Sequence, residues 1–157
     1  KKNIKSEPNV NRGQLLDMLF SEVVEPHLIE PIFILDYPVE ISPLAKRKED
    51  DHELTERFEF FWYGMEIANS FTELNDPIDQ RERFESQMQL KAKGDPEAQV
   101  LDEDFIEAME HGMPPTGGMG FGIDRLALIF TNSYSLREIL LFPLARPRKK
   151  NTDTNEK

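Results

Sequence analysis

Two glutamates, Glu59 and Glu66, stand inside the aromatic and apolar stretch from Phe58 to Ala68. A carboxylate in such company costs free energy unless it is paired, hydrogen-bonded or bound to a cation. Glu59 and Glu66 are therefore either solvated edge residues or ligands of Mg²⁺, which combines one or two carboxylates with substrate phosphates. Just downstream, Asn69, Phe71 and Glu73 occupy alternate positions, and a strand would set them on one face as an amide, an aromatic wall and an anion in a row. Such a row suits an amino acid with a long aliphatic stem and a terminal ammonium. The competing possibility is a mixed, half-exposed strand.

A second chemical stretch runs from Gly117 to Leu126. Gly118, Gly120 and Gly122 alternate with Met119 and Phe121, so a strand there would carry bare backbone on one face and apolar side chains on the other. Glycine weakens a strand and is tolerated mainly where another main chain or a flat ligand approaches closely. Arg125 follows at a strand-to-helix junction, where a guanidinium can stack on a base or neutralise a phosphate. The alternative is a bulged glycine-rich strand with a surface arginine. The Rossmann fingerprint does not fit the spacing.

The elements that must position these groups are legible in outline. Leu15, Leu16, Leu19, Phe20, Val23 and Val24 recur at helical spacing after the cap Asn11, predicting an amphipathic helix with a core role and Pro26 beyond its end. Pro31 to Leu35 predicts a buried strand, and Pro38 and Pro43 then break regular structure. Lys46 to Glu53 reads as a solvated charged loop. Phe58 to Tyr63 and Glu66 to Glu73 predict two strands with a turn at Gly64. Ile78 to Lys93 predicts a helix with a thin stripe of Ile78, Phe84 and Met88, its other charges solvated, stopped by Gly94-Asp95-Pro96. Leu101, Phe105, Ile106 and Met109 mark a short helix after Asp102, closed by His111-Gly112. Ala127 to Phe130 predicts a buried helix ending near Thr131-Asn132, followed by a polar turn at Ser135 to Glu138 and an apolar strand at Ile139 to Phe142. Residues 1–10 read as a flexible start, and 148–157 as a solvated tail after the basic Arg146, Arg148, Lys149 and Lys150.

A register problem accompanies this outline. Strict alternation puts Glu66 on the face opposite Asn69, Phe71 and Glu73. A two-residue turn at Gly64-Met65 would also leave Glu59 and Glu66 roughly 13 Å apart along the strands. Convergence requires a bulge, strong twist or different pairing.

The chain has 157 residues, enough for one domain with a sizeable core. It starts at Lys1 without a signal peptide or a long apolar run, and so reads as a piece of a longer soluble, cytoplasmic protein. With no cysteine, disulfides and thiolate metal sites are excluded. Thirty acidic residues against 19 basic ones give a net charge of -11, which argues against nonspecific nucleic-acid binding.

The string Gly117-Gly118-Met119-Gly120-Phe121-Gly122-Ile123-Asp124-Arg125-Leu126, continuing through Arg137-Glu138-Ile139-Leu140-Leu141-Phe142-Pro143, resembles motif 3 of the class II aminoacyl-tRNA synthetases. Pro114-Pro115-Thr116 before it and Leu144-Ala145-Arg146-Pro147 after it are most similar to the lysyl-tRNA synthetases, and the resemblance covers about Asn11 to Pro147. It implies an α+β fold, a mainly antiparallel sheet flanked by helices, representing the later half of a catalytic domain. It further implies ATP-dependent activation of lysine and transfer to tRNA(Lys) by a homodimeric parent.

By position, Asn69, Phe71, Glu73 and Gly120 match lysine-binding residues, with Glu73 on the ε-ammonium. Glu59 and Glu66 match the Mg²⁺ ligands and, with Asn69, Gly122 and Arg125, the ATP site; Arg125 is the implied catalytic residue. Phe71 is tyrosine in some members. Motif 1, motif 2 and the anticodon-binding barrel are not found, so the isolated segment is expected to be inactive. Three alternatives stay open: an aspartyl or asparaginyl enzyme, the lysyl-transferring paralogue that modifies elongation factor P, and a noncatalytic synthetase-like module.

Overall fold

The computed structural model describes residues 10–94 and 98–144. The expected flexible start before residue 10, the Asp95-Pro96 stop and the basic tail lie outside them. The chain divides into two units at Gly122/Ile123.

The first unit is built on four antiparallel strands, β1 (Ile32–Leu35), β2 (Arg57–Trp62), β3 (Met65–Thr72) and β4 (Gly117–Phe121), in the order β1-β2-β3-β4. Helices α1 (Arg12–Val23), α2 (Pro77–Ala92) and α3 (Glu103–Glu110) accompany the sheet. The expected class of antiparallel sheet with flanking helices is observed.

Helix starts follow the side-chain capping logic of the sequence. The Asn11 side chain accepts from the Gln14 amide while the Gln14 side chain accepts from the Asn11 amide, a reciprocal capping box. The Asp76 and Asp102 side chains cap α2 and α3 without the reciprocal half, accepting from first-turn amides that lack helical partners. His111 ends α3, its Nδ1 2.7 Å from the Glu107 carbonyl, as a helix-end histidine should.

Several burial expectations are corrected. Strand β1 is an edge strand with β2 as its single neighbour, and Phe33 and Leu35 are exposed, so it is a strand but not a buried one. The apolar stripe of α1 is exposed at Leu15, Leu16, Leu19, Val23 and Val24; the helix docks through Phe20, edge-on to Phe61 with centroids 5.5 Å apart, and through the buried Gly13 against Glu40 and Ile41. On α2 the anticipated stripe fails because Ile78 and Met88 face solvent. The helix packs instead through Phe84, Gln80 and Arg83, all buried. Phe84 joins Ile106 and Met109 in a cluster with Leu44, Leu101 and Met113 against it.

Two polar side chains of α2 hold the loop that the prolines break. Gln80 donates to the Pro43 carbonyl at 3.0 Å, and Arg83 donates to the carbonyls of Ser42 and Ala45 at 3.1 and 2.6 Å. The charged loop is correspondingly less free than composition suggests: Arg47 pairs with Asp79, Lys48 with Asp36, and Arg47 bridges Thr55 through the backbone. Lys46 donates its amide to Thr72 and Leu74 donates to Leu44, so this loop runs beside the end of β3.

The β2–β3 hairpin turns at Tyr63-Gly64, one residue earlier than Gly64-Met65, with φ of 52° and 68°. Positive φ at both central residues is the geometry that matches the right-handed twist of two strands. Gly64 supplies it without strain, whereas an added Cβ would sit 3.4 Å from the Glu25 carbonyl oxygen in a left-handed conformation. Gly64→Ala is expected to destabilise the chain by about 1–2 kcal/mol, measured by urea denaturation; a neutral result would refute this account of the turn.

The second unit contains α4 (Ile123–Thr131) and α5 (Leu136–Ile139). Helix α4 ends where expected but has no fully buried residue: Leu126 to Ile129 are half-buried, and Ile123 and Phe130 are exposed. The strand expected at Ile139 to Phe142 is not formed. Ser135 caps the short α5, and Leu140 to Phe142 follow without a strand partner. No helix among the described residues is long and apolar enough to cross a membrane.

Candidate active site

The turn position and one extra residue in β3 resolve the register problem. Trp62 pairs with Met65 and Phe61 with Glu66, but Phe60 pairs with Ala68, leaving Ile67 as a bulge. With the turn at Tyr63-Gly64, Glu59 and Glu66 become diagonal cross-strand neighbours, about 7–8 Å apart rather than roughly 13 Å. The bulge then shifts the pleat by one, so that Glu59 faces Asn69 and Arg57 faces Phe71. Glu66 therefore shares a face with Asn69 and Phe71. The bulged Ile67 is itself buried, and its carbonyl accepts from the Gly122 amide at 2.7 Å.

The glycines complete this face. Gly120 pairs with Asn69 and Gly118 with Phe71, while Met119 and Phe121 point to the other side. Bare backbone thus lies directly beside the amide and the aromatic ring. Gly122 falls one residue past the strand, and Arg125 lies in the first turn of α4 in the second unit.

Glu59 is more engaged than the sequence suggested. Its Oε1 accepts from Arg57 and its Oε2 accepts from the Tyr37 hydroxyl at 2.7 Å. The same guanidinium reaches Asn69 Oδ1 at 3.1 Å, the Ile41 carbonyl and Ser42 Oγ at 2.9 Å each, and stacks over the Tyr37 ring at 4.6 Å. Burial, reinforced by the hydrogen bond to Glu59, pushes the Tyr37 phenol well above its ordinary pKa, so it remains a donor. Arg57 and Tyr37 escaped the sequence analysis, although Arg57 sits two residues from Glu59 and strand periodicity alone puts both on one face.

Glu73 lies just beyond β3. Its amide donates to the Thr116 carbonyl at 2.9 Å and its backbone bridges Ala45, so the residue is held from both sides. The half-buried carboxyl has its pKa raised by burial. Among the described residues no arginine or lysine pairs with it.

For a divalent cation, the described residues contain no cluster of three or more acidic or histidine side chains. Two carboxylates on one face still fit Mg²⁺, which takes its remaining oxygens from water and phosphate. Each oxygen of Glu59 already accepts one hydrogen bond but retains a second lone-pair site.

Residues 10–146 match the family described as tRNA synthetases class II (D, K and N). The chain belongs to that family. It is 59% identical over 143 residues to a lysine–tRNA ligase of Moorella thermoacetica, covering 91% of this chain and 29% of that protein. A lysine–tRNA ligase of Thermoanaerobacter pseudethanolicus is 54% identical over 148 residues, covering 94% of this chain and 30% of that protein. One from Christiangramia forsetii is 50% identical over 154 residues, 98% of this chain and 27% of the relative. This class II synthetase segment thus spans under a third of the length of the relatives it matches.

Proposed function

We propose that this segment supplies the lysine pocket and part of the nucleotide site of a lysine–tRNA ligase. The observation that carries this reading is the Glu73 carboxyl, half-buried without a cationic partner among the described residues and two residues along the chain from Phe71, just past the end of β3. A desolvated anion beside an aromatic wall and a bare backbone fits a ligand that brings an ammonium on an apolar stem. It disfavours an acidic or amide substrate, which calls for a donor or cation there. The lysine–tRNA ligase relatives at 50–59% identity support the same choice.

In the reaction, the lysine carboxylate attacks the α-phosphate of ATP, pyrophosphate departs, and the aminoacyl group passes from the adenylate to the 3′ end of tRNA. Positioning and charge neutralisation supply most of what such a step needs. Glu73 accepts from the ε-ammonium, Phe71 lines the stem, Asn69 offers its amide, and Gly120 admits the substrate against backbone. Gly122 and Arg125 serve the nucleotide, the latter by stacking on adenine or neutralising phosphate. Glu59 and Glu66 would hold Mg²⁺, which neutralises phosphate charge when bound. Arg57 and Tyr37 fix the Glu59 carboxylate before any substrate arrives.

The test is amino-acid-dependent ATP–pyrophosphate exchange. A longer protein carrying this segment is expected to exchange with lysine and not with aspartate or asparagine, and the segment alone to give no exchange, since the arginine-bearing motif 2 is not in it. Exchange driven by aspartate or asparagine would refute the lysine assignment. Transfer to elongation factor P rather than tRNA would replace the acceptor. No exchange by the longer protein with any amino acid would favour a noncatalytic module.

A further inference from the structure

We infer that Gly118 is a positioning residue for amino-acid selection: the side chain it lacks leaves the seat in which the Glu73 carboxylate lies. This rests on the lysine reading above and deepens it. A Cβ built on Gly118 would overlap Glu73 Oε1 and stand 3.1 Å from its Cδ and 3.8 Å from its Cγ. The other glycines of β4 differ. Nothing lies within 4 Å of a Cβ on Gly117, and a Cβ on Gly120 would meet the Asn69 carbonyl oxygen at an ordinary 3.8 Å.

The register explains why this glycine meets the acid. Gly118 pairs with Phe71, and Glu73 lies two residues further along the same chain, its amide bonded to Thr116. The Glu73 side chain therefore reaches back diagonally across the ladder onto the backbone of Gly118. The diagonal is within reach of a long side chain and closed to it if any side chain stands at Gly118.

The backbone itself does not require glycine. Positive φ among the described glycines occurs at Gly64, Gly94 and Gly112, and not at Gly118. The group that an alanine would strike is the far end of a flexible side chain rather than main chain. Gly118→Ala should therefore fold and move the carboxylate off the strand, leaving the β3–β4 pairing intact. Burial raises the pKa of the Glu73 carboxyl, as a carboxylate lying close over the strand should show.

The first experiment uses this chain, with the Glu73 carboxyl carbon followed by NMR titration. In Gly118→Ala the Glu73 midpoint is expected to fall toward the ordinary glutamate value, with the amide spectrum of β3 and β4 otherwise preserved. The second uses a longer protein carrying the segment. Gly118→Ala is expected to raise the lysine KM about tenfold or more, the loss of a charge-assisted bond, with the ATP KM changed less than about twofold. In a Glu73→Ala background, adding Gly118→Ala should change the lysine KM by less than about twofold, because the clash has gone.

An unmoved Glu73 titration in Gly118→Ala overturns the seat, as do independent, multiplicative effects in the double variant. A moved titration combined with an unchanged lysine KM in both Gly118→Ala and Glu73→Ala overturns the selection role through failure of the lysine reading. The two failures are thereby told apart.

Discussion

Glu73→Gln, in a longer protein carrying this segment, is expected to lower kcat/KM for lysine about 10- to 150-fold, the range of a lost charge-assisted hydrogen bond. The substitution keeps shape and removes charge, so the bound ammonium faces an amide instead of an anion. The fold should not suffer. Burial raises the Glu73 pKa, so between the unfolded value near about 4.3 and the raised folded value the native chain holds a proton that the unfolded chain releases. The stability associated with that proton is full below the unfolded pKa and is lost as pH rises through the folded one. At neutral pH the charged carboxylate therefore works against folding, and the amide removes that cost. Thermal melts of the Gln variant should match or exceed wild type at pH 7 and lack the decline through this window. Unchanged lysine kinetics would sink the assignment. A large fall in the melting temperature would make Glu73 a structural residue.

Arg83→Ala carries the largest expected effect on stability, about 3–5 kcal/mol, as for removing one partner of a buried ion pair. The Arg83 side chain is 5% exposed and bonds Asp79 on the preceding turn while donating to two loop carbonyls. Its loss leaves those carbonyls without this donor and Asp79 with Arg47 as the remaining cation. Burial disfavours the Asp79 carboxylate, yet hydrogen bonds from Arg83 and Arg47 outweigh it and hold the pKa below the ordinary value. A depressed carboxylate stabilises the fold above its unfolded pKa, and that contribution disappears as pH falls through the folded one. Wild type should thus lose stability below about pH 4, and Arg83→Ala should show a shallower acid dependence in urea titrations. Arg83→Lys should recover a fraction only, since an ammonium lacks the planar fork that serves three acceptors. A loss under about 1 kcal/mol would mean the loop is held by other contacts. The loop matters to the site because Ala45, bonded to Arg83, also bridges Glu73.

Residue chemistry and local spacing made much of this protein legible. The cap Asn11, the helix after Asp102 closed by His111-Gly112 and the glycine strand all depend on neighbours within a few residues, where propensity and hydrogen-bonding rules act directly. Burial was less legible. Periodicity shows that α1 and β1 each have an apolar side, but not whether anything covers it, and among the described residues those sides are largely exposed. Ile139 to Phe142 misled for a related reason, since a short apolar run fits a strand or a helix end until a pairing partner or a cap decides.

Which of the candidate residues share a face was decided by the tertiary structure. Sequence alone named Glu59, Glu66, Asn69, Phe71, Glu73 and the glycines, because carboxylates and bare backbone among apolar residues demand a reason. It left them on opposing faces. One bulged residue, Ile67, reversed the alternation and brought Glu66 to the side of Asn69 and Phe71. A bulge is stabilised by partners far along the chain, here the Gly122 amide on the Ile67 carbonyl, and nothing within the strand announces it. The hold of Arg57 and Tyr37 on Glu59, and the fit of Glu73 over Gly118, are likewise products of register between separated segments.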